Sequence, residues 1–545
     1  MQHEGILMIE PGSVPPPEDM RARAGGKAYS LLKLAALGFP VPAGFVLPTT
    51  MYRGWAEAAK PSLAEFKSTY AGTIERLERA SALRFGDFRK PLLVSVRSGA
   101  PVSMPGMLDT VLNVGLTQNT IPGFIALTGN PRLAWDCYRR LIESYALSVH
   151  RADLAPFKEA TAEALSAAKA STLAELDTIA LRELATDAVR VFSETTGTHF
   201  PDDPYVQLLN AIDAVFRSWN SERAKSYRRI NALDDMLGTA VTVQCMVFGN
   251  AGAGSGAGVA FTRNPATGEK RLYLDFAFDA QGEDVVSGRK RVSTDAELRK
   301  VMPEVATTLD DMAARLERVF GYAQDFEFTV TEGQLYLLQT RDAKCSDWAR
   351  LKIAVDLVEE GVLRPEDACQ RLDGLNPGTL VRKRVTAAGS AVAAGIPAAI
   401  GVATGAIAFT LEDAKTAAAE GKSVILVRND ILTEDIEGIV AAAGVLTARG
   451  GRTSHAAVVA REFGKVAVVG CRDLHIAADE KSCTIGDTVL AAGDQLSLDG
   501  ETGAIYRGAV EITAEEPDAS LAKWASWKSK NLHNVESGDQ SRRSL

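Results

Sequence analysis

Short apolar runs alternate with stretches of helical periodicity along this chain, and the two patterns are unevenly distributed. From about Gly26 to Arg341, strand-like runs such as Val241–Phe248 and Leu272–Phe278 mix with helix-like stretches. Residues 160–192 are rich in Ala, Glu and Leu, which favours helix. The pattern predicts an α+β region with separate helical and sheet lobes.

The pattern changes after residue 345 and again near residue 385. Polar and helical sequence interrupted by Asn376-Pro377-Gly378 predicts a linker, and short alternating β and α segments follow it. We therefore predict an α+β and α/β multidomain protein with a polar, partly disordered tail. The predicted parts are a domain over 1–345 with a helical subdomain at about 120–235, a helical linker over 346–384, a β/α domain over 385–512, and the tail over 513–545.

Composition and charge narrow the range of functions. The chain has 545 residues, 46% of them hydrophobic, and its formal net charge of −9 argues against coating nucleic acid or an anionic membrane. The six cysteines form no CxxC pair, which favours a reducing compartment. The first residues lack the apolar core of a signal peptide, and no run approaches the roughly 18 apolar residues of a membrane span. We expect a cytoplasmic protein without nucleic-acid or membrane partners.

One histidine stands in an unusual neighbourhood. Gly444–Thr447 predicts a buried strand, and it is followed by the segment Arg449-Gly450-Gly451-Arg452-Thr453-Ser454-His455. Either Thr453 or Ser454 suits the N-cap of a helix, and Gly464 suits its C-terminal stop. The sequence therefore predicts His455 in the first turn of a helix. The other histidines lack any such glycine-rich and basic surroundings.

The position of His455 has a chemical meaning. Free backbone N–H groups and the positive end of a helix dipole attract a phosphoryl group and disfavour an imidazolium, which leaves the neutral, nucleophilic imidazole. Arg449 and Arg452, with Thr453 and Ser454 beside them, are predicted to stabilise transferred phosphate. We therefore predict that His455 accepts a phosphoryl group. The alternative is a histidine that only caps or packs against its helix.

Residues elsewhere predict a polyphosphate site. Lys27 follows Gly25-Gly26 at the start of an amphipathic helix, without the spacing of a Walker A loop, and Arg97 ends an apolar strand. Both can grip phosphate, although most such lysines are solvated and most such arginines pair with carboxylates. The glycine-rich segment 250–258 lies between two predicted strands, so a hairpin lid over phosphate is favoured over a plain linker. Glu283-Asp284 adds two acids for a metal or a ribose.

A predicted hairpin over residues 326–340 completes this set. A three-residue loop would place Glu327 opposite Gln339 and would place Asp325 opposite Arg341, whereas a two-residue loop would break this register. Oxygen atoms of Glu327 and Gln339 suit Mg²⁺, and Arg341 suits a polyphosphate. The alternative is an ordinary cross-strand ion pair.

Taken in order, these segments resemble the pyruvate phosphate dikinase family from about Gly25 to about Gly508. The matching stretches are Ser95–Ala100, Met104–Met107, Ala260–Pro265, Gln281–Val286, Leu338–Arg341 and Gly450–Ala457. The resemblance implies an ATP-grasp domain followed by a swivelling phosphohistidine domain, with ATP and Mg²⁺ required and His455 phosphorylated as an intermediate. It assigns nucleotide and metal positions to Lys27, Arg97, Glu327, Gln339 and Arg341, and it matches Glu283 and Asp284 without a defined role.

In this family the β-phosphoryl group of ATP ends on the histidine, and AMP and pyrophosphate are released after inorganic phosphate takes the γ-phosphoryl group. Two departures matter. Ala257 stands where the family is expected to have a threonine. The alanine removes a hydroxyl group near the phosphates, at the step with inorganic phosphate. The sequence ends soon after Gly503, so we expect the barrel that binds pyruvate and phosphoenolpyruvate, or another acceptor, on a separate protein. Two alternatives are a phosphotransferase for another small molecule and a nucleotide-binding regulatory protein without turnover.

Overall fold

The chain forms two compact units in a computed structural model. The structure describes residues 5–529, apart from 58–59, 103, 105–106, 231–232, 234–237, 287–291, 388, 432–435 and 453. Unit 1 comprises residues 1–255 and 329–340, and unit 2 comprises residues 256–328 and 341–545. The chain thus passes between the units inside the region predicted as one domain, 1–345.

Unit 1 contains the first seven strands and ten helices of the chain. The strands are β1 (Leu7–Ile9), β2 (Gly44–Leu47), β3 (Arg84–Phe85), β4 (Pro91–Leu92), β5 (Val94–Gly99), β6 (Thr110–Val114) and β7 (Ala240–Cys245). The helices are α1 (Met20–Ala24), α2 (Gly26–Ala36), α3 (Thr49–Glu57), α4 (Leu63–Ser81), α5 (Ile121–Thr128), α6 (Pro131–His150), α7 (Ala155–Ala168), α8 (Thr178–Thr196), α9 (Pro204–Ser218) and α10 (Glu222–Ile230).

An antiparallel sheet in the order β1-β2-β7-β5-β6 forms the centre of unit 1. Its apolar side chains join those of α4, α6 and α9 in one core. Helix α6 shows why the helical lobe packs there, since Tyr138, Leu141 and Tyr145 recur at helical spacing and are all buried. The predicted helical stretch 160–192 is confirmed by α7 and α8, with a short 3₁₀ turn between them.

A second sheet has the order β11-β10-β8-β9. Its strands are β8 (Gly256–Phe261), β9 (Tyr273–Phe278), β10 (Gln324–Thr331) and β11 (Gln334–Asp342), and the helices of this region are α11 (Gly282–Val286), α12 (Asp295–Val301) and α13 (Pro303–Phe320). The last two strands carry the chain out of unit 2 and back into it. Every residue of β8 is buried, because both faces of the strand are covered.

The rest of unit 2 is a β/α region. Its strands are β12 (Arg382–Ala387), β13 (Ala393–Ala394), β14 (Ile396–Ala399), β15 (Val402–Ala408), β16 (Val424–Arg428), β17 (Gly444–Thr447), β18 (Val466–Val469), β19 (Leu474–Ile476), β20 (Ser482–Ile485), β21 (Thr488–Ala491), β22 (Gln495–Asp499), β23 (Ala504–Arg507) and β24 (Glu511–Glu515). Its helices are α14 (Asp347–Glu359), α15 (Pro365–Arg371), α16 (Leu411–Ala419), α17 (Ile436–Ala441), α18 (His455–Glu462) and α19 (518–529).

An eight-stranded sheet in the order β13-β23-β22-β15-β16-β17-β18-β14 forms the body of this region. Strands β15 to β18 are parallel to one another. The helices α16, α17 and α18 cover one face, and the three-stranded sheet β19-β20-β21 covers the other. The predicted strand Gly444–Thr447 is confirmed as β17 with the same bounds.

The segments that flank the eight-stranded sheet are ordered elements. Strands β12 and β24 pair as a two-stranded antiparallel ribbon, so the chain enters and leaves the sheet region side by side. Helix α19 packs its buried Trp524 against α14 and α15. The part of the predicted tail up to residue 529 is thus strand and helix, and residues 530–545 lie outside the described residues.

Candidate functional site

His455 is the first residue of α18, as predicted. Strand β17 is buried along its length, and the chain turns from its carboxyl end into the helix. Ser454 is the N-cap, and its hydroxyl accepts a hydrogen bond from Ala457 N at 3.4 Å. The free N–H groups of the first turn therefore lie at the position of His455. The structure describes only the backbone of His455, and Thr453 lies outside the described residues.

The loop before His455 is held by two hydrogen bonds to the backbone oxygen of Arg449. Thr447 Oγ1 donates a hydrogen bond to Arg449 O at 2.6 Å, and Gly470 N donates to the same oxygen at 3.3 Å. Gly450 has a φ of +101°, in the region that favours glycine. The loop is therefore fixed at the carboxyl ends of parallel strands, where open α/β sheets bind ligands.

The two arginines predicted beside the phosphate have different surroundings. Arg449 is exposed. The Arg452 side chain is 17% exposed and extends towards β9, where Nη1 donates to Leu274 O at 3.3 Å and lies 3.8 Å from Asp275 Oδ1. Its guanidinium carbon also lies 4.6 Å from the ring centre of Tyr273. The described contacts of Arg452 are thus made with the second sheet.

In unit 1, the start of α2 approaches the end of β5 very closely. Gly26 N donates to Ala100 O at 3.0 Å, and a Cβ atom on Gly25 would lie 2.0 Å from Gly99 O. Gly25 also has a φ of +79°. A glycine is therefore required at this position, because only its absent side chain lets the two backbones meet. This approach brings the N-terminus of α2, which carries Lys27, to the strand that carries Arg97.

Arg97 lies on a central strand of the unit 1 sheet, where its Cα pairs with those of Thr110 and Thr242. The guanidinium is only partly covered, but its Nε atom is buried. Within the part of the chain that the structure describes, this atom has no hydrogen-bond acceptor. A buried donor on a cationic group is costly to leave without an acceptor. An anionic ligand is the natural partner for it.

The predicted neighbours Asp325 and Arg341 are in contact. Arg341 Nε donates to Asp325 Oδ2 at 2.8 Å, and Nη2 lies 2.7 Å from the same oxygen. Burial raises the pKa of Asp325, and the guanidinium of Arg341 opposes that rise. The predicted three-residue loop is wrong, since β10 ends at Thr331 and β11 begins at Gln334. Just outside the two strands, Ala343 N donates to Ala323 O at 2.9 Å, so these two residues face each other at the base of the hairpin.

The remaining acids and the amide lie in three settings. Glu327 is half-buried on β10, and Gln339 is buried on β11. The Asp284 carboxylate accepts a hydrogen bond from Gln281 N at 3.1 Å and is 2% exposed, while the side chain of Glu283 lies outside the described residues. No group of three or more His, Cys, Asp or Glu side chains arranged for a metal occurs among the residues that the structure describes.

The candidate residues divide between the two units. Unit 1 holds Lys27, Arg97 and Gln339. Unit 2 holds Glu283, Asp284, Glu327, Arg341, Arg449, Arg452, Ser454 and His455.

Comparison with known families assigns both regions. The family described as "Pyruvate phosphate dikinase, AMP/ATP-binding domain" matches residues 64–300, and the family described as "PEP-utilising enzyme, mobile domain" matches residues 420–503. The chain thus carries an AMP/ATP-binding domain of the pyruvate phosphate dikinase type and the mobile domain of PEP-utilising enzymes. The second match contains β17, α18 and His455, so the histidine lies in the mobile domain.

Relatives named pyruvate, phosphate dikinase match nearly the whole chain. The Clostridium symbiosum protein is 43% identical over 94% of this chain and 59% of its own length. The Zea mays protein named pyruvate, phosphate dikinase 2 is 41% identical over 94% of this chain and 58% of its own length. The Rhizobium meliloti protein is 39% identical over 93% of this chain and 58% of its own length. The chain therefore spans about 59% of the length of these relatives. Among the described residues, no helix is long and apolar enough to cross a membrane.

The glycine-rich segment is not the hairpin lid that the sequence predicted. Strand β7, before it, belongs to the first sheet, and β8, after it, belongs to the second sheet, so the two flanking strands do not pair. Two of its glycines serve packing: a Cβ atom on Gly256 would lie 2.1 Å from the Phe276 ring, and one on Gly258 would lie 2.5 Å from the Phe328 ring. These two rings stack with centres 5.8 Å apart. The segment is thus a connection between sheets in this dikinase relative.

Three residues at the mobile domain were missed by the sequence reasoning. Tyr273 and Asp275 on β9 contact Arg452, and Arg461 of α18 donates to Arg452 O at 3.0 Å. Tyr273 also donates to Pro397 O at 2.6 Å, and burial raises its pKa. The sequence held one signal for Asp275, which is the single acid within an apolar strand. The structure shows this carboxylate 1% exposed. A buried lone carboxylate implies a cationic partner.

Proposed function

We propose that this chain is an ATP-dependent phosphotransferase in which His455 accepts the β-phosphoryl group of ATP. The observation that supports the proposal is the position of His455 as the first residue of α18, within the residues that match the mobile domain of PEP-utilising enzymes. The neighbouring family match is to an AMP/ATP-binding domain, which supplies the donor. The proposed function thus joins one nucleotide-binding domain and one carrier histidine in the same chain.

The chemistry at His455 follows from the helix terminus. The lone pair of a neutral imidazole nitrogen attacks the β-phosphorus, and the bond to the bridging oxygen breaks as AMP leaves with its electron pair. The γ-phosphoryl group then passes to inorganic phosphate, which releases pyrophosphate and leaves the β-phosphoryl group on His455. Backbone N–H groups of α18 stabilise the charge on the transferred group, and Arg449 and Ser454 add further donors.

On the donor side, Lys27, Arg97 and Arg341 bind the polyphosphate of ATP in this proposal. The buried Nε atom of Arg97 supports this role, since a phosphate oxygen provides the acceptor that the described residues do not. Glu327 and Gln339 would hold Mg²⁺, with Glu283 and Asp284 as further ligands for metal or ribose. The oxygen atoms of these side chains suit Mg²⁺, because this ion prefers oxygen ligands and is usually bound by one or two protein groups together with phosphates. When bound, Mg²⁺ neutralises the charge of the polyphosphate.

We propose that pyruvate is the final acceptor, with phosphoenolpyruvate as the product. The names of the relatives support this choice, because they specify pyruvate and phosphate. The mobile-domain family is named for PEP utilisation. We further propose that a separate barrel protein supplies the pyruvate site and that the reaction takes place in the cytoplasm. The six free cysteines suit a reducing compartment of that kind.

A second candidate is favoured by Ala257. In this candidate, water instead of inorganic phosphate takes the γ-phosphoryl group, so the products are AMP and two orthophosphate groups once His455 is discharged. Ala257 pairs with Ala277 across β8 and β9 and is fully buried in an apolar cluster with Val285. A hydroxyl group is therefore absent at this position, where the family is expected to provide one for the phosphate step.

Product analysis of the purified chain tests these proposals. Incubated with ATP and Mg²⁺ in the absence of pyruvate, it should form about one AMP per chain and then stop, because the carrier is filled once. Pyrophosphate that depends on added inorganic phosphate supports the first proposal, and orthophosphate without that dependence supports the second. ATP binding without AMP formation in any mixture, including one with a candidate barrel protein, would show a regulatory protein instead. ADP as the product would show an ordinary kinase.

A further inference from the structure

The loop that presents His455 is docked on β9 by one arginine. Arg452 is three positions before His455, and its guanidinium lies over Tyr273 and beside Asp275. The carboxylate is 1% exposed and the guanidinium side chain is 17% exposed, so the contact is largely shielded from water. Charge interactions are stronger in such a setting than at an exposed surface.

The docked position of Arg452 is supported on both sides. Arg461 is buried and donates from Nη1 to Arg452 O at 3.0 Å and to Ala398 O at 2.8 Å. On the other side, a Cβ atom on Gly451 would lie 2.6 Å from Asp275 Oδ2, so the loop backbone itself touches the carboxylate. The loop is thus seated against β9 by packing as well as by charge.

The ion pair is nevertheless loose. Arg452 Nη1 lies 3.8 Å from Asp275 Oδ1, beyond hydrogen-bond distance, and the same nitrogen donates to a neutral carbonyl, Leu274 O. A phosphoryl group carries a charge of about −2 at neutral pH and binds guanidinium through short, bidentate hydrogen bonds. Such a group on His455 would therefore compete well for Arg452.

We propose that Arg452 is a charge-operated latch between the mobile domain and β9. Before phosphorylation it holds the His455 loop on β9 through Asp275 and Tyr273. After phosphorylation it turns to the phosphoryl group, so Asp275 loses this cation and faces a new anion. Both changes weaken docking, and the loaded domain is released towards its acceptor. The release step rests on the proposed phosphorylation of His455, whereas the docking step does not.

Fluorescence energy transfer within unit 2 tests the latch. Dyes attached through unnatural amino acids at the exposed positions Thr307 on α13 and Val489 on β21 report docking. Without ATP, Asp275→Asn and Arg452→Met should lower the ratio of docked to undocked protein about tenfold, as expected for a coupled buried pair. Arg452→Lys should lower it less, because the charge remains. A matched control is Glu437→Gln, which removes a surface ion pair with Lys415 on the same domain.

The charge-swapped variant Arg452→Asp with Asp275→Arg separates charge from shape. It should recover most of the docking that either single variant loses. In the wild type, ATP and Mg²⁺ should then shift the ratio towards the undocked form. In the swapped variant they should not, because the arginine on β9 would attract the phosphoryl group. His455→Ala should show no ATP-dependent release, which excludes an effect of nucleotide binding alone.

The outcomes decide the two steps separately. Equal docking of Asp275→Asn and wild type without ATP overturns the docking step. A wild-type protein that stays docked after full phosphorylation of His455 overturns the release step. If ATP leaves His455 unmodified, the proposed function fails and the release step fails with it, while the ATP-free comparison still decides whether Arg452 holds the domain.

Discussion

A guanidinium nitrogen buried without an acceptor destabilises a folded protein, and Arg97 carries one within the described part of the chain. Among the described residues, no atom accepts a hydrogen bond from this Nε, although the strand around it is well packed. A bound phosphate oxygen would offset this cost, and stability is often given up in this way where a ligand binds. In the proposed function, Arg97 therefore lowers stability without ATP and strengthens the binding of ATP.

Arg97→Met tests that balance. The methionine fills a similar volume without a buried donor, so thermal unfolding of the ATP-free protein should occur at an equal or higher temperature. The single-turnover rate constant for AMP formation at subsaturating ATP should fall about 100-fold, because hydrogen bonds to charged groups are lost. The exposed Arg89→Met is the matched control and should change neither quantity. A lower unfolding temperature with an unchanged single-turnover rate would show that Arg97 has a structural role only.

At the scale of elements, the contact between α2 and β5 positions Lys27 beside the Arg97 strand. The contact depends on Gly25, whose missing side chain leaves room for Gly99 O. Helix α2 is anchored by its buried leucines, so a bulkier residue at its N-cap would tilt its first turn instead of moving the whole helix. Small displacements of positioning groups have large effects on rate.

Gly25→Ala should therefore lower the single-turnover rate of AMP formation at subsaturating ATP by at least about tenfold, since a methyl group would lie 2.0 Å from Gly99 O. Gly12→Ala is the matched control. Gly12 has a similar φ of +74°, but no heavy atom lies within 4 Å of the added methyl group. Both variants strain the backbone, and only Gly25→Ala should change the single-turnover rate. Equal activity of the two variants would contradict the positioning role.

A buried ion-pair cluster joins the second sheet to α13 and α14. Arg263 follows β8 and is fully buried, with Nε 2.9 Å from Glu317 Oε1 and Nη2 2.8 Å from Glu317 Oε2. Nη2 also donates to Glu360 Oε2 at 2.9 Å. Burial favours the neutral form of Glu360, but hydrogen bonds from Lys270 and Arg263 outweigh it and lower the pKa of Glu360. A carboxylate with a lowered pKa stabilises the fold above its unfolded pKa, and that stabilisation is lost as the pH falls through the lowered value.

Arg263→Met should lower the free energy of unfolding of unit 2 by about 3–5 kcal/mol at pH 7, because Glu317 would remain buried without its cation. The loss should shrink as the pH falls below about 4, through the lowered pKa of Glu360. Scanning calorimetry across this pH range measures both effects. Arg271→Met removes an exposed pair with Glu269 and should shift stability by less than about 1 kcal/mol at any pH. A loss that does not depend on pH would contradict the ionic account.

Local elements were predictable to different degrees. Strand β17 and the start of α18 follow from an apolar run, two glycines and a hydroxyl N-cap, all of which act within a few residues. The contact of Asp325 with Arg341 was predicted, although the predicted loop was one residue too long. The sheet change between β7 and β8 was not predictable, since strand pairing depends on partners far along the chain.

At the scale of the whole molecule, the sequence indicated the resemblance to pyruvate phosphate dikinase, the α+β and α/β classes and the position of His455 at the start of a helix. It did not indicate the division into units, because the chain leaves and re-enters unit 2 through two neighbouring strands. Nor did it indicate that α19 closes back onto the linker helices, where Trp524 is buried. The docking of Arg452 on β9 was equally hidden, since it joins segments that are distant in sequence. The mobile domain is thus joined to the rest of unit 2 by the β12–β24 ribbon and seated by the latch.

The most direct test of the account is the fate of the β-phosphorus of ATP. Incubation with β-labelled ATP and Mg²⁺, followed by digestion with trypsin under alkaline conditions, should place the label on the peptide Thr453–Arg461 as acid-labile phosphohistidine. With inorganic phosphate present, γ-labelled ATP should leave no label there, and His455→Ala should take up none from either donor. Equal labelling of His455→Ala, or a peptide that carries the γ-label after phosphate is added, would contradict the central claim.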